Sequence, residues 1–273
     1  MTRRFNAHLL VEPDWLAARL DDGDTERLRV VDARPLARYR SGHLPYAVSV
    51  PMLSLLVVDK GLRQLAPFER LEALFGAAGI DEHTTVVIYG ERGSVDAANA
   101  FWALECCGHP DVRVLNGGIE RWERQGLPLT TEAFVPQQKS FRAKPIPGRR
   151  VEGDWLLEHL HDPDVQVLDN RTREEYTGEE CYAQRGGHIP GARLLPYDAT
   201  LQPDGSFKSL AEIAQLYEQL DLDFEKTLVN YCQSGTRSAH AYFTQRLVGF
   251  RDPRVYEGSW AEWGNEGRFP VER

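Results

Sequence analysis

The sequence predicts an α/β protein built twice over, with two similar halves that are each a mostly parallel sheet flanked by helices on both faces. Three observations carry this. Short β-branched runs alternate with helical stretches along the chain, the pattern of parallel strands joined by helical crossovers. The second half repeats the first, block by block and in the same order. The length, 273 residues, exceeds what one hydrophobic core usually organises.

In the first half, strands are predicted at 28–31, 86–89 and 112–115, and helices at 14–20, 65–75 and 96–104. In the second, strands are predicted at 165–168, 227–231 and 255–256, and helices at 154–159, 210–220 and 238–248. Glu12-Pro-Asp-Trp-Leu16 pairs with Glu152-Gly-Asp-Trp-Leu156, and Val30-Val-Asp-Ala-Arg34 with Val167-Leu-Asp-Asn-Arg171. Gly42-His-Leu-Pro45 pairs with Gly187-His-Ile-Pro190, the second copy carrying an insertion around 178–184. Asn116-Gly-Gly-Ile-Glu-Arg-Trp122 pairs with Glu257-Gly-Ser-Trp-Ala-Glu-Trp263. A repeat of this length reads as a duplicated domain, not a solenoid unit. Between the copies, 130–150 holds three prolines, Gln137-Gln138 and five basic residues with little apolar periodicity, the composition of a surface linker.

One residue dominates the chemistry. Cys232 follows the apolar run 227–231 and precedes a helical stretch, within Tyr231-Cys-Gln-Ser-Gly-Thr-Arg-Ser238. A turn from strand to helix gathers backbone N–H groups at the positive end of the helix dipole. That is a favourable setting for a thiolate, the nucleophilic form of cysteine. Arg237 adds a permanent charge and a fork of donors for an anion. Gly235 allows the tight backbone of such a cradle. The competing reading of Cys232 is a small buried hydrophobe, and the surrounding residue types disfavour it. The first copy supplies a comparison within the chain: aligned on Tyr89 and Tyr231, it reads Gly90-Glu-Arg-Gly-Ser-Val-Asp96. Gly90 stands where Cys232 stands and Val95 where Arg237 stands, which predicts one active and one structural domain.

Composition excludes several classes. A net charge of −9 argues against general nucleic-acid binding. No run approaches the roughly 20 apolar residues of a membrane span, and the arginines near the N-terminus lead into no apolar core of a secretory signal. The cysteines at 106, 107, 181 and 232 have no metal-binding spacing, and Cys106 and Cys107 are adjacent, so a reducing cytoplasm is the simplest fit. No metal, nucleotide or flavin motif is present, and no cofactor is expected.

Gly187-His-Ile-Pro-Gly-Ala192, the loop Cys232 to Arg237, and Tyr256-Glu-Gly-Ser-Trp-Ala-Glu-Trp263, with weaker forms of the first and third in the first half, resemble the tandem-domain rhodaneses. The resemblance covers essentially the whole chain. It implies two rhodanese-like domains: 1–130, catalytically silent; a linker, 131–150; and 151–273, catalytic, with the site near the domain interface. It implies a sulfurtransferase working through a persulfide on Cys232, loaded by a small anionic donor and emptied by cyanide, a small thiol or a thioredoxin-like protein. Thiosulfate is the preferred donor and 3-mercaptopyruvate the second choice. Loop amides from Gln233 to Arg237 would cradle the sulfur, and Gln233, Ser234, Gly235 and Thr236 would shape donor binding. Arg171 and Arg173 are candidates for lining the pocket; for Arg171 an ion pair with Asp169 is an equal alternative, and for Arg173 a solvated surface position is favoured. Animal thiosulfate enzymes carry a basic residue where this chain has Glu175.

The alternatives are a cysteine–arginine phosphatase or arsenate reductase, and a non-catalytic sulfur-relay or binding module. The related phosphatases place five residues between cysteine and arginine; this loop has four, which suits a single sulfur better than a tetrahedral phosphate. His43 and His188 are expected to stabilise turns by hydrogen bonds, since the silent half keeps its histidine. Trp260 and Trp263 are expected to pack, although Trp260 could line the site mouth. Cys106 and Cys107 are expected to be structural, Cys181 to sit on the insertion, and His240 to pack or face solvent.

Overall fold

A computed structural model describes residues 4–91 and 94–273. The two loop residues of the first copy at 92–93, which belong to the comparison with the Cys232 loop, lie outside the described residues.

The first half contains strands β1 (Leu10–Val11), β2 (Leu28–Asp32), β3 (Ala47–Ser49), β4 (Leu56–Asp59), β5 (Leu62–Leu65), β6 (Thr85–Tyr89) and β7 (Val112–Leu115). Its helices are α1 (Pro13–Asp21), α2 (Leu36–Ser41), α3 (Phe68–Ala77), α4 (Val95–Cys106) and α5 (Gly118–Arg124). The second half adds β8 (Arg150–Val151), β9 (Val165–Asp169), β10 (Arg193–Leu194), β11 (Thr227–Tyr231) and β12 (Asp252–Tyr256). Its helices are α6 (Gly153–Glu158), α7 (Arg173–Thr177), α8 (Leu210–Gln219), α9 (Thr236–Val248) and α10 (Ser259–Trp263).

Two parallel sheets result, ordered β1-β7-β6-β2-β3 and β8-β12-β11-β9-β10. The order is the same in both, so the sequence repeat is a structural repeat. In each, the strand leading into the loop under comparison, β6 or β11, is central and its last four residues are buried. A central parallel strand covered on both faces reads as a continuous apolar run, which is why these two strands were visible in sequence. Loops at the carboxyl ends of such strands are where sites form.

The strand β4–β5 hairpin is antiparallel and separate from the main sheets. It displaces the predicted start of the third helix: residues 65–67 close the hairpin and cap α3, which begins after Pro67. Helix α9 begins two residues before its predicted start, at Thr236.

The halves share one apolar cluster, in which Phe101 and Trp102 of α4 meet Tyr242 and Phe243 of α9. Phe101 and Phe243 pack edge to face with ring centres 4.8 Å apart. Glu105 of α4 accepts from Tyr242 at 2.5 Å and pairs with Arg246 at 2.9 Å. The segment between the halves is pinned to the first: Lys139 N–H donates to Gly76 O, Lys144 N–H to Cys107 O, and Phe141 is buried. No helix among the described residues is long and apolar enough to cross a membrane.

Candidate active site

Cys232 lies between the end of β11 and the start of α9, and its side chain is fully buried, 0% exposed. Gly235 takes φ 84° as the residue preceding α9, a conformation costly for any residue with a Cβ. An added Cβ would also come 3.1 Å from Glu257 O. The loop therefore curls tightly enough to bring its next residues to the helix N-terminus, whose first N–H groups lack intrahelical acceptors. Cys232, Gln233, Ser234 and Gly235 form the loop at that end, and Thr236 and Arg237 are the first residues of α9.

Helix α10 fastens the turn from the other side. Trp260 N–H donates to Cys232 O and Ala261 N–H to Gln233 O, both at 2.9 Å. Cys232 N–H donates to Ser259 Oγ at 3.2 Å, and that hydroxyl donates onward to Tyr256 O at 2.8 Å. Ser259 holds φ 52°, the left-handed region. In the silent half the equivalent residue is Gly118, φ 58°, and Ile119 N–H donates to Gly90 O at 3.1 Å. The frame is the same; the hydroxyl on the amide at the loop's first residue belongs to the second half alone.

Arg237 does not stand free. Its Nη1 and Nη2 donate to the two carboxylate oxygens of Glu175 at 2.6 and 2.8 Å. Burial works to lower the Arg237 pKa, but Glu175 and Cys232 outweigh it and hold the guanidinium above its ordinary value. Burial likewise opposes the charge on Glu175, yet Arg237 and the Thr172 amide keep its carboxyl below the usual carboxylate range. Glu175 also completes a capping box with Thr172 at the start of α7. The Thr-x-x-Glu spacing was visible in sequence; its ion pair across 62 positions was not.

Arg171 makes the ion pair with Asp169 that stands as the alternative to donor binding. Its side chain is 1% exposed, paired with Asp169 at 2.7 Å and bonded to Gly187 O at 2.7 Å. It also lies over the Trp260 ring at 4.4 Å. Arg34 of the silent half makes the same contacts with Asp32 and Gly42 O, at 2.6 and 2.7 Å. A feature kept where there is no cysteine belongs to the scaffold. Trp260 is buried, its indole N–H donating to Arg185 O, so it packs and does not line a mouth. His43 and His188 stack on Tyr39 and Tyr176 and bond their carbonyl oxygens, at 2.8 and 3.0 Å, in the same way in both halves. His240 is buried against Phe207 and bonded to Thr200. Arg173 is exposed and opens α7.

The insertion reaches the loop. Tyr182 O accepts from Gln233 Nε2 at 3.3 Å, and Arg185 anchors the segment through Trp263 O and Phe269 O at 2.6 and 2.7 Å. Cys181 is exposed there, its Sγ donating to Ala183 O. Cys106 and Cys107 are buried far along α4, where burial pushes both thiols up, Cys107 to about 12. Among the described residues no cluster of three or more His, Cys, Asp or Glu could hold a metal ion.

The first half also reaches the loop, as a site near the domain interface requires, through residues that the sequence reading did not single out. Asn99 Nδ2 donates to Thr236 O at 3.0 Å, and Leu65 N–H donates to Glu257 Oε1 at 2.5 Å. Arg63 and Leu56 of the hairpin line one crevice with Ser234, Gly235 and Thr236.

The profile of the rhodanese-like domain matches residues 12–125 and again 152–266. The sulfur carrier protein TtuD of Thermus thermophilus is 36% identical, with 96% of each chain covered. A thiosulfate sulfurtransferase of Azotobacter vinelandii is 34% identical, and one of Pseudomonas aeruginosa 33%, each with 97% of both chains covered. Among solved structures, wild-type EanB superposes with a TM-score of 0.88 at 26% identity, over all of this chain and 70% of that one. So does an EanB variant with ergothioneine covalently linked to a cysteine persulfide, at TM-score 0.88, 27% identity, and 100% and 71% coverage.

Proposed function

The chain belongs to the rhodanese-like family in both of its halves, and from that premise we propose that it is a sulfurtransferase whose nucleophile is Cys232 and whose first half is catalytically silent. The preferred donor is thiosulfate, with 3-mercaptopyruvate second. The thiolate of Cys232 attacks the outer sulfur of thiosulfate; the S–S bond of the donor breaks and sulfite leaves with its electron pair. Cys232 then carries a persulfide. Cyanide or a thiolate attacks the terminal sulfur, leaves as thiocyanate or a persulfide, and returns the cysteine thiolate. Splitting one transfer into two steps is nucleophilic covalent catalysis, and the amides of residues 233–237 serve the sulfur that carries the charge.

The observation that carries this reading is the contrast between two matched turns: Cys232 at the end of β11, inside a ring closed by Gly235, and Gly90 at the end of β6. The phosphatase reading is disfavoured by Glu175, whose carboxylate already pairs with Nη1 and Nη2 of Arg237 and sets a negative charge beside the place a phosphate would take. Acceptors are cyanide, small thiols or a thioredoxin-like protein. All four cysteines are free, which supports a reducing, cytoplasmic setting.

The test is intact mass after incubation with thiosulfate. Wild type is expected to gain roughly 32 Da, one sulfur atom, and Cys232→Ala nothing. A wild type that stays unloaded with both thiosulfate and 3-mercaptopyruvate, or a Cys232→Ala protein that loads equally, overturns the reading. The ratio of kcat/KM for the two donors then assigns the donor.

A further inference from the structure

A thiosulfate dianion needs positive charge at the loop, and four arginines of the second half that lie in or around it are already committed, while Arg173 is exposed at the start of α7. Arg237 is bound by Glu175, Arg171 by Asp169, and Arg150 by Glu257 at 2.5 Å. Arg185 spends its guanidinium on backbone carbonyls. A guanidinium already bound through two N–H groups has little left for a second anion.

The silent half supplies a cation that is not committed. The β4–β5 hairpin turns at Lys60 and Gly61, both at positive φ, and its return strand carries Arg63 towards the other half. Two residues further on, Leu65 N–H is bonded to Glu257, which fixes the hairpin against the end of β12. Arg63 shares a crevice with Ser234, Gly235 and Thr236, is exposed, and forms no ion pair among the described residues. The carboxylate in that crevice, Glu257, is held by Arg150 and Leu65 N–H.

Building on the sulfurtransferase reading, we propose that Arg63 is a specificity-determining residue that binds the anionic end of the sulfur donor, so that the silent half recognises the donor while the other half reacts with it. The donor's outer sulfur goes to Cys232 and its sulfonate, or carboxylate, lies towards Arg63. The contact exists only while the anion is bound. Arg63 therefore acts on loading, where a sulfonate or carboxylate is held, and not on discharge of the persulfide to a small acceptor without such a group.

The experiment measures the two half-reactions separately on the full chain. Loading by thiosulfate and by 3-mercaptopyruvate is followed by rapid quench and intact mass, and discharge by adding cyanide to the preloaded protein. Arg63→Gln is expected to raise the donor concentration for half-maximal loading roughly tenfold, Arg63→Glu more, and Arg63→Lys least. Discharge rates and melting temperatures are expected to match wild type in all three. The donor effect is expected to shrink as salt rises. If wild type loads and Arg63→Glu loads at the same donor concentration, this proposal fails while the sulfurtransferase reading stands. If wild type loads from neither donor, both fall together. Equal slowing of loading and discharge would also overturn it, because that pattern marks general damage to the loop.

Discussion

Glu175 grips Arg237 through both carboxylate oxygens, and the same Glu175 caps the helix α7 on which it sits. The loop arginine is thereby fixed in position and largely neutralised. The pair lies beside Cys232, whose charge also acts on the guanidinium.

This pair gives the protein a pH-dependent element of stability. Glu175 has a folded pKa depressed below its unfolded value of about 4.3. Its contribution is therefore complete above that pH and is lost as pH falls through the depressed folded value. Glu175→Gln is expected to cost about 1–3 kcal/mol at pH 7. Urea melts should show the gap to wild type closing below pH 4, where wild type loses the same charge. A gap independent of pH would refute the assignment.

Arg171 is expected to govern folding and leave donor binding alone. Arg171→Lys cannot reproduce the fork on Asp169 together with the bond to Gly187 O. A loss of about 3 kcal/mol is expected, with KM for thiosulfate within about twofold of wild type. A raised KM at unchanged stability would return Arg171 to the binding site.

Ser259 separates catalysis from stability in the opposite sense. Ser259→Gly removes the oxygen that accepts from Cys232 N–H while relieving a non-glycine residue at φ 52°. The silent half already has glycine there. Kcat is expected to fall about tenfold through loss of one positioning bond, with a melting temperature equal to or above that of wild type. A variant that is less stable and fully active would contradict this.

A cysteine placed in the silent half is not expected to work. Burial first, then Glu91 and Asp32, pushes the Asp96 carboxyl up to about 6. A second anion at position 90 would meet the same repulsion. In a Cys232→Ala background, Gly90→Cys should take up no sulfur from thiosulfate by intact mass. Asp96 itself carries a separate expectation. Because its folded pKa exceeds the unfolded value of about 3.9, the native state binds the extra proton between those values and stability falls as pH rises from about 3.9 to about 6. Asp96→Asn should remove that decline.

The strands β6 and β11 and the loop after β11 could be read from the chain because their signals are local: a buried apolar run, a small ring of residues, and a helix start. The edge strands at 10–11, 150–151 and 193–194 are two residues long, too short for any periodicity to register. The β4–β5 hairpin leaves only a weak trace, Val57-Val58 and Leu62 around Lys60-Gly61, and its last residue, Leu65, falls inside the helix expected at 65–75. Arg171 was ambiguous because Asp-x-Arg fits either an ion pair or a pocket; burial decides it. Glu175 and Arg237 could not be paired in advance, since only the packing of α7 beside α9's first turn brings them together. Arg63 was invisible for the same reason, its partner loop lying in the other half of the chain.

The apolar seam between α4 and α9 has a consequence for how this molecule can change over time. Two copies that each fold alone can be inherited, lost or reshuffled separately; copies that share a core cannot. Deleting the first would strip Phe101 and Trp102 from Phe243 and Tyr242 and cut the Asn99 tether to Thr236. A change at the loop around Gly90 leaves that shared core untouched, whereas a change in α4 or the hairpin is felt in the second half as well. The first copy is thereby part of the second copy's architecture.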